Sequence, residues 1–383
     1  MPIDFESFTP ARLRRTERLK WSHPQRMGAW VAEMDFGVAP EITAALLPHV
    51  TEGSLGYATP QMRSAAAQAA ADWIADTSGW TVPVDSIHHV RDVLTAFMAA
   101  ARAWLTPGSP VVVPTPSYMP FLTLPGELGH PVVRVPSLPD DDGVLHLDLD
   151  GIAAALAQGA GMVVLVNPAN PIGRVYSRGE LAALADVVES HGARVFADEI
   201  HSPLVLDPEA RHVPYASVSE ATAQHSMTAL SPSKGWNVPG MKCAQAIVTS
   251  DRDRELARLL RVVYGDSAST LGYVAAAAAY RDARPWLAEV REYLRGNSLF
   301  LRDLLAQHLP EAGYTVPQGT YLAWLDLRTY DTPAAHPVQR LLDGGVWTVD
   351  GVRAGAPGFA RFNFAMARSA LEQTVELMGQ ALR

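Results

Sequence analysis

The sequence predicts an α/β protein in which a parallel or mostly parallel sheet is covered by helices. Short apolar runs, typical of buried strands, alternate with longer segments of helical periodicity. The 383 residues are 48% hydrophobic, which is enough for a large core, and this length favours two domains. We therefore expect a sheet-based domain with a second, smaller domain attached.

The predicted elements follow in chain order. Strands are expected at 111–114, 162–166, 194–197, 227–230 and 244–249, with helices near 93–104, 180–191 and 252–264. From about Pro285 the pattern changes to a long helix, strands near 321–327 and 361–365, and a terminal helix. We predict a large domain over 46–284 and a small domain over 285–383 that the segment 1–45 joins.

Polar loops follow four of the predicted strands. They span 116–121, 167–173, 198–201 and 231–234. Ligands of open α/β sheets bind beyond the carboxyl ends of the strands, so these loops are expected to converge on one crevice.

Composition favours small-molecule chemistry. The net charge of -9, without a basic stripe, argues against nucleic acid or an anionic membrane as a partner. The single Cys243 excludes an internal disulfide framework, and no Cys/His cluster has zinc-ligand spacing. The first residues lack the features of a signal peptide, and no apolar run reaches membrane-spanning length, so we expect a cytoplasmic protein.

Lysine is nearly absent from the chain. Of the 31 basic residues only Lys20, Lys234 and Lys242 are lysines, and the last two share one loop that begins Ser231-Pro-Ser-Lys234. An amine, unlike a guanidinium, can lose its proton near neutral pH and attack a carbonyl. Lys234 is therefore a candidate Schiff-base lysine, and a solvated lysine is the alternative interpretation.

A Schiff-base lysine makes most sense with pyridoxal phosphate, whose ring nitrogen must stay protonated to accept electrons. Asp198, at the end of a predicted strand, is placed to face that nitrogen, and His201 is placed to hydrogen-bond the ring hydroxyl. The alternatives for Asp198-Glu-Ile-His201 are an acidic helix N-terminus or a metal site. Neither alternative explains Asn170, Lys234 and Asp198 together.

An ordered set of motifs resembles the class I/II aminotransferase family of fold type I pyridoxal phosphate enzymes. It comprises Asn167-Pro-Ala-Asn170-Pro-Ile-Gly173, Asp198-Glu-Ile-His201, Ser231-Pro-Ser-Lys234 and Arg361-Phe-Asn363. Trp30-Val-Ala-Glu33-Met-Asp35-Phe36 and Gly56-Tyr57 resemble the MalY/PatB-type carbon-sulfur lyase, or cystathionine beta-lyase, branch. The resemblance covers nearly the whole chain.

This resemblance implies a role for each matching residue. Lys234 would bond the cofactor and move protons, Asp198 would face the ring nitrogen, and Tyr118 would stack on the ring. Asn170 and His201 would contact the ring oxygen, and Arg361 would grip the substrate carboxylate. Tyr57 would reach the cofactor of a second subunit, which implies a homodimer with shared sites. The phosphate is expected at Val93, Leu94, Ser231, Ser233 and Lys242, and the substrate at Trp30, Ala32, Asn170 and Arg361.

Three positions depart from the family's pattern. Asp92-Val-Leu stands where Pro-Gly-Val-Val is common, Ala169 replaces a histidine, and Glu33 replaces an aspartate. The last change could alter substrate preference. The activity implied is beta-elimination on an S-substituted L-cysteine such as cystathionine, with an amino-acid aminotransferase as the alternative. A regulator or scaffold is disfavoured because every cofactor position holds a competent residue type.

Overall fold

The computed structural model describes residues 3–332 and 336–383. Its strands are β1 (Met27–Gly28), β2 (Ile87–Val90), β3 (Val111–Thr115), β4 (Val132–Pro136), β5 (Leu138–Pro139), β6 (Leu145–His146), β7 (Met162–Val166), β8 (Arg194–Asp198), β9 (Ser226–Leu230), β10 (Ala244–Ile247), β11 (Gly313–Tyr314), β12 (Leu322–Asp326), β13 (Val346–Trp347), β14 (Val349–Asp350) and β15 (Phe359–Asn363).

Helices connect and cover these strands. They are α1 (Pro10–Arg14), α2 (Pro40–Thr51), α3 (Pro60–Ser78), α4 (Val93–Trp104), α5 (Leu124–Glu127), α6 (Leu149–Ala157), α7 (Arg178–Ser190), α8 (Glu220–His225), α9 (Pro232–Gly235), α10 (Arg254–Arg258), α11 (Thr270–Arg281), α12 (Arg284–His308), α13 (Pro337–Asp343) and α14 (Arg368–Leu382). Within the described residues, none of these helices has both the length and the apolar character needed to cross a bilayer.

A seven-stranded sheet with the order β2-β10-β9-β8-β7-β3-β4 forms the centre of the protein. Its strands run parallel except β10, which is antiparallel to both β2 and β9. The inner strands β7, β8 and β9 are buried almost throughout because helices cover both faces of the sheet. The predicted α/β class with a mostly parallel sheet is confirmed.

A second sheet of four antiparallel strands, in the order β11-β12-β15-β14, lies towards the C-terminus. The N-terminal segment reaches the same region, because β1 pairs in parallel with β13 through Met27 and Val346. Helix α12 packs along α14 beside this sheet. These contacts support the proposed division into 46–284 and 285–383, with the segment 1–45 joined to the smaller part.

One difference from the predicted elements concerns the helix expected over 252–264. The chain there forms a short 3₁₀ turn at Asp251–Asp253, the helix α10, and then a π-helical turn at Leu259–Val263. The turn buries Leu259 and Leu260, whereas Val262 and Val263 are exposed. The helical character was predicted correctly, but its regularity was not.

Candidate active site

The carboxyl ends of β3, β7, β8 and β9 lie at one edge of the central sheet, since these strands are parallel neighbours. The polar loops singled out in the sequence start at this edge: 116–121 after β3, 167–173 after β7, 198–201 at the end of β8 and 231–234 after β9. The topology thus gathers segments that are more than 100 residues apart into one crevice.

Lys234 lies in the short helix α9, which begins after Ser231. Its amine donates a hydrogen bond to the backbone oxygen of Ala32, with Nζ and O 2.8 Å apart. Burial lowers the pKa of Lys234 to about 8, and the positive charge of Arg361 acts in the same direction, against the carboxylates of Glu33 and Asp198. An amine with this pKa is neutral in roughly a tenth of the molecules at pH 7 and in about half of them at pH 8, and the neutral form is the one that a nucleophile or base requires.

The other two lysines have different surroundings. Lys20 is fully buried and pairs with Asp35, with Nζ and Oδ1 3.1 Å apart, while Trp21 donates to the same carboxylate oxygen. Its amine also donates to the backbone oxygen of Ala365, so Lys20 fastens the N-terminal segment to the C-terminal part of the chain. Lys242 is about half exposed, with its Nζ 3.8 Å from Oδ2 of Asp92. Only Lys234 combines burial with an amine that no carboxylate holds in a salt bridge within the described residues.

Asp198, the last residue of β8, is buried, and Oδ1 of its carboxylate accepts a hydrogen bond from the backbone N–H of Ile200 at 3.1 Å. Burial raises the pKa of Asp198 to about 7 because this hydrogen bond and the charge of Lys234 compensate only part of the lost hydration. A carboxylate in this state gains stability from a cationic N–H beside it.

His201 lies three residues further on and is also buried. Burial, together with the positive charges of Lys234 and Arg361, lowers the pKa of His201 well below its usual value, so the ring is neutral. Its Nδ1 atom is buried and has no hydrogen-bond partner within the described chain. No group of three or more metal-ligating side chains is present among residues 3–332 and 336–383, so the metal interpretation of this motif finds no support there.

Arg361, on β15, and Asn170, after β7, meet across the crevice. Nη1 of Arg361 donates to Oδ1 of Asn170 at 3.1 Å, and Nη2 donates to the backbone oxygen of Trp30 at 2.8 Å. Burial lowers the pKa of Arg361 to about 10, which still leaves the guanidinium charged at neutral pH. Gly173 closes the Asn170 turn with φ +70°, where an added Cβ would lie 2.3 Å from Pro317.

Tyr118 follows β3 and is partly buried. Burial raises the pKa of its hydroxyl, with a further contribution from the charge of Asp198, while Arg361 opposes the shift. Tyr118 therefore lies within electrostatic range of both groups. Its ring packs edge-on against Phe121, with centroids 5.7 Å apart.

Two of the segments predicted to hold a phosphate, Val93–Leu94 and Lys242, meet at the start of α4. Val93 and Leu94 form its first turn, whose backbone amides have no acceptor within the helix. Asp92 caps the helix by accepting from the N–H of Thr95, and its other oxygen faces Lys242. A carboxylate beside an anion site is unfavourable unless nearby cations offset it, and Nε of Arg91, which donates to the same Asp92 oxygen at 3.1 Å, does so together with Lys242. The Asp92 departure noted in the sequence thus falls at the phosphate position itself.

Ser231 and Ser233 lie at the start of α9. The Ser231 hydroxyl donates to the backbone oxygen of Cys243 and accepts from the N–H of Ser233. The first of these bonds ties the start of the Lys234 helix to the residue just after Lys242.

The segment 30–34 crosses the crevice. Side chains from other parts of the chain anchor it by donating hydrogen bonds to its backbone oxygens. Asn363 donates to the oxygens of Val31 and Glu33, and the Tyr321 hydroxyl donates to that of Ala32 at 2.9 Å. Sequence analysis did not assign roles to Asn363 and Tyr321, although Asn363 stands as a polar residue within an apolar strand. Trp30 stacks on Trp347 with centroids 4.3 Å apart, and its indole N–H has no partner within the described residues.

Tyr57, unlike the other predicted site residues, does not lie in the crevice of its own chain. It is 96% exposed, so it is not enclosed with Lys234 within a single chain. Three other apolar side chains of α2 and the following loop are also more than half exposed: Leu47, Val50 and Leu55. Clusters of this kind are typical of protein–protein contacts.

The amino-acid sequence matches the family model described as aminotransferase class I and II over residues 31–377. It is 33% identical to cystathionine beta-lyase of Corynebacterium glutamicum, covering 97% of this chain and 98% of the relative. It is 32% identical to cystathionine beta-lyase PatB of Bacillus subtilis (strain 168), covering 96% and 97%. The crystal structure of cystalysin from Treponema denticola, which contains a pyridoxal 5'-phosphate cofactor, superposes with a TM-score of 0.91 at 26% identity, covering 100% and 99%.

Proposed function

Because the chain belongs to the class I and II aminotransferase family, we propose that it is a pyridoxal phosphate-dependent beta-lyase that cleaves the carbon–sulfur bond of S-substituted L-cysteines such as cystathionine. The observation that carries the proposal is the Lys234 amine, which donates to the backbone oxygen of Ala32, has a pKa lowered to about 8, and lies within electrostatic range of the Asp198 carboxylate and the Arg361 guanidinium. Full-length similarity to two cystathionine beta-lyases supports the type of reaction.

The residues present fit pyridoxal phosphate. Asp198 is a buried carboxylate whose raised pKa falls when a cationic ring N–H approaches, and His201 has a buried ring nitrogen free for a hydroxyl. The first turn of α4 and Lys242 offer amides and a cation to a phosphate. The ring nitrogen, the ring hydroxyl and the phosphate of the cofactor would thus each have a complementary group of the chain.

When bound, the cofactor supplies an aldehyde carbon that bonds an amine and a protonated ring that draws electrons from the substrate's alpha carbon. Lys234 would hold this aldehyde carbon through its amine in the absence of substrate. The released Lys234 amine then accepts the alpha proton. Arg361 and Asn170 hold the substrate carboxylate and fix the orientation of the alpha carbon.

Removal of the alpha proton leaves an electron pair on the alpha carbon, and this pair drives the elimination. The pair forms a double bond between the alpha and beta carbons as the bond from the beta carbon to sulfur breaks, and sulfur leaves as a thiolate. Hydrolysis of the remaining three-carbon unit gives pyruvate and ammonia. Transamination uses the same Lys234 and Asp198 but leaves the beta substituent in place.

The test of this proposal is the dependence of turnover on a keto acid. With a cysteine S-conjugate, release of thiol is expected at full rate with no keto acid added. Alanine has no leaving group on its beta carbon, so its exchange with a 2-oxo acid is expected to be slow. Fast exchange of alanine or an aromatic amino acid, with no thiol released from any cysteine conjugate, would establish the aminotransferase instead.

The raised pKa of Asp198 gives a prediction for the cofactor-free protein. A carboxyl whose folded pKa is about 7, against an ordinary value of 3.8, stabilises the fold below pH 3.8 and loses that contribution as pH rises through 7. The full difference corresponds to roughly 4 kcal/mol. Between pH 5 and 8 the melting temperature of apoprotein is expected to fall, and the fall should be much smaller in Asp198→Asn. Equal pH dependence in both proteins would contradict the burial of this carboxylate.

We further propose that the enzyme is a homodimer in which Tyr57 completes the partner's site. The support is the full exposure of Tyr57 beside Leu47, Val50 and Leu55. Mixing inactive Tyr57→Ala and Lys234→Ala proteins is expected to restore activity, because one of the two sites in each heterodimer then has both residues. At full exchange half of the dimers are mixed, so about a quarter of wild-type sites should return. No recovery after subunit exchange verified by mass spectrometry would count against a shared site.

A further inference from the structure

Tyr321 places a hydroxyl beside the oxygen that holds the Lys234 amine. The residue directly precedes β12, its side chain is fully buried, and its hydroxyl donates to the backbone oxygen of Ala32 at 2.9 Å. The Lys234 amine donates to that same oxygen at 2.8 Å. One backbone oxygen thus joins the phenol and the amine, although the three residues come from distant parts of the chain.

The contacts around Tyr321 leave its ring little freedom. Thr320, which is fully buried, has φ +71°, in the left-handed region that β-branched residues rarely adopt. Its N–H donates to the backbone oxygen of Leu204 at 2.9 Å, and the backbone oxygen of Tyr321 accepts from the N–H of Phe364 at 3.1 Å. The ring packs edge-on against His201, with centroids 6.0 Å apart. Both the backbone and the packing therefore fix the position of the hydroxyl.

The Tyr321 hydroxyl remains a donor at every pH at which Lys234 titrates. Burial raises the pKa of Tyr321 above its ordinary value, and the charge of Glu33 adds to this shift while Arg361 opposes it. The pKa of Lys234 is lowered to about 8. Because the hydroxyl keeps its proton while the amine gains or loses one, its hydrogen bond to Ala32 does not depend on the state of the amine.

We propose that Tyr321 is a positioning residue for Lys234: its hydroxyl fixes the carbonyl of Ala32, and this carbonyl gives the free amine one defined position in the crevice. The assignment rests on the proposed function, in which Lys234 accepts the alpha proton. A base held in one place transfers a proton faster than a base that moves among several. Without the hydroxyl, Asn363 still holds the oxygens on either side of Ala32, but the Ala32 oxygen keeps only the amine as a donor among the described residues.

The first measurement uses the full chain without cofactor and reads the amine directly. Trace acetylation with acetic anhydride from about pH 6 to 10, followed by peptide mass spectrometry, gives the reactivity and the pKa of Lys234. Lys242, which is about half exposed, serves as the internal reference. Tyr321→Phe is compared with Tyr314→Phe on the edge strand β11, a matched control because the Tyr314 hydroxyl also donates to a backbone oxygen, that of Ser298 at 3.2 Å.

Tyr321→Phe is expected to lower the pKa of Lys234 by about half a unit or more, because a poorly placed Ala32 carbonyl stabilises the ammonium less. Labelling of Lys234 relative to Lys242 at pH 7 then rises about threefold. In holoenzyme, kcat for L-cystathionine is expected to fall about tenfold with little change in KM. Tyr314→Phe should change none of these quantities. An amine that reacts faster with a reagent but serves turnover more slowly has lost its position.

Several results would overturn the assignment. If Lys234 in Tyr321→Phe has the labelling profile or the kcat of the Tyr314→Phe control, the hydroxyl does not place the amine. A higher pKa of Lys234 would show that the hydroxyl competes with the amine for Ala32 instead of supporting it.

The labelling is independent of the reaction that the enzyme catalyses. If wild-type holoenzyme releases no thiol from L-cystathionine, the proposed beta-elimination fails, whereas the labelling of Lys234 still decides the role of Tyr321. Both variants keep the aromatic ring, so their melting temperatures are expected to stay close to that of the wild type, which separates these results from loss of folding.

Discussion

Lys234→Ala is expected to lower turnover by at least about 100-fold while the fold is retained. The variant lacks the amine that bonds the cofactor and accepts the alpha proton. Its structural cost is small because the hydroxyl of Tyr321 still donates to the oxygen of Ala32 that Lys234 contacts. The measurements are steady-state activity and far-UV circular dichroism. Borohydride reduction of wild-type holoenzyme is expected to attach the cofactor to the peptide that contains Lys234.

Lys242→Arg is the matched control for this experiment. It keeps the cation that we place near the phosphate, so it should leave borohydride labelling at Lys234. Peptide mapping that finds the cofactor on Lys20 or Lys242 would show that the catalytic amine is misassigned. Labelling of Lys20 is not expected, because its amine is buried and paired with the carboxylate of Asp35.

Asp198→Ala is expected to lower turnover by roughly 10- to 1000-fold while part of the cofactor stays bound. An opposite charge at short range shifts a pKa by about 1 to 3 units, and each unit corresponds to a factor of ten in the population of the protonated ring. Without the carboxylate the ring nitrogen loses its proton and draws electrons less strongly. Activity should be measured together with the cofactor content of the purified variant.

Asp198→Asn separates the charge of this residue from its shape. The amide keeps a similar volume at the end of β8 and removes the negative charge, so its activity is expected to resemble that of Asp198→Ala. Near-normal turnover in either variant with bound cofactor would remove Asp198 from the mechanism.

The central strands could be predicted from sequence because each is a short, nearly continuous apolar run between helical segments. Strands β7, β8 and β9 are of this kind. The outer strands were missed: β2 contains His88 and His89, and β4 is a partly exposed edge strand that carries Arg134. Helices α3 and α11 were also missed because alanine is frequent around their circumference, which leaves a weak periodic signal, although they pack closely against each other.

The site was predictable where a motif places a side chain at a strand end, as for Asp198 and Lys234. Contacts between segments that are distant in the sequence could not be predicted. Tyr321 reaches Ala32 across 289 positions of sequence, and Asn363 reaches Val31 across 332. The sequence likewise showed Glu33 as a departure from the family but could not indicate that its Oε1 atom is buried without a hydrogen-bond partner among the described residues, since that depends on how the N-terminal segment crosses the crevice.

The most direct test of the proposed activity is the product stoichiometry of purified holoenzyme with L-cystathionine and no keto acid. Elimination predicts thiol, pyruvate and ammonia in a ratio of about one to one to one, accumulating over many turnovers, and no product from Lys234→Ala. Thiol can be followed with a chromogenic disulfide, and pyruvate and ammonia with coupled dehydrogenases. Conversion of cystathionine to a keto acid that still contains sulfur, with a new amino acid formed only when a 2-oxo acid is added, would contradict the lyase and establish transamination.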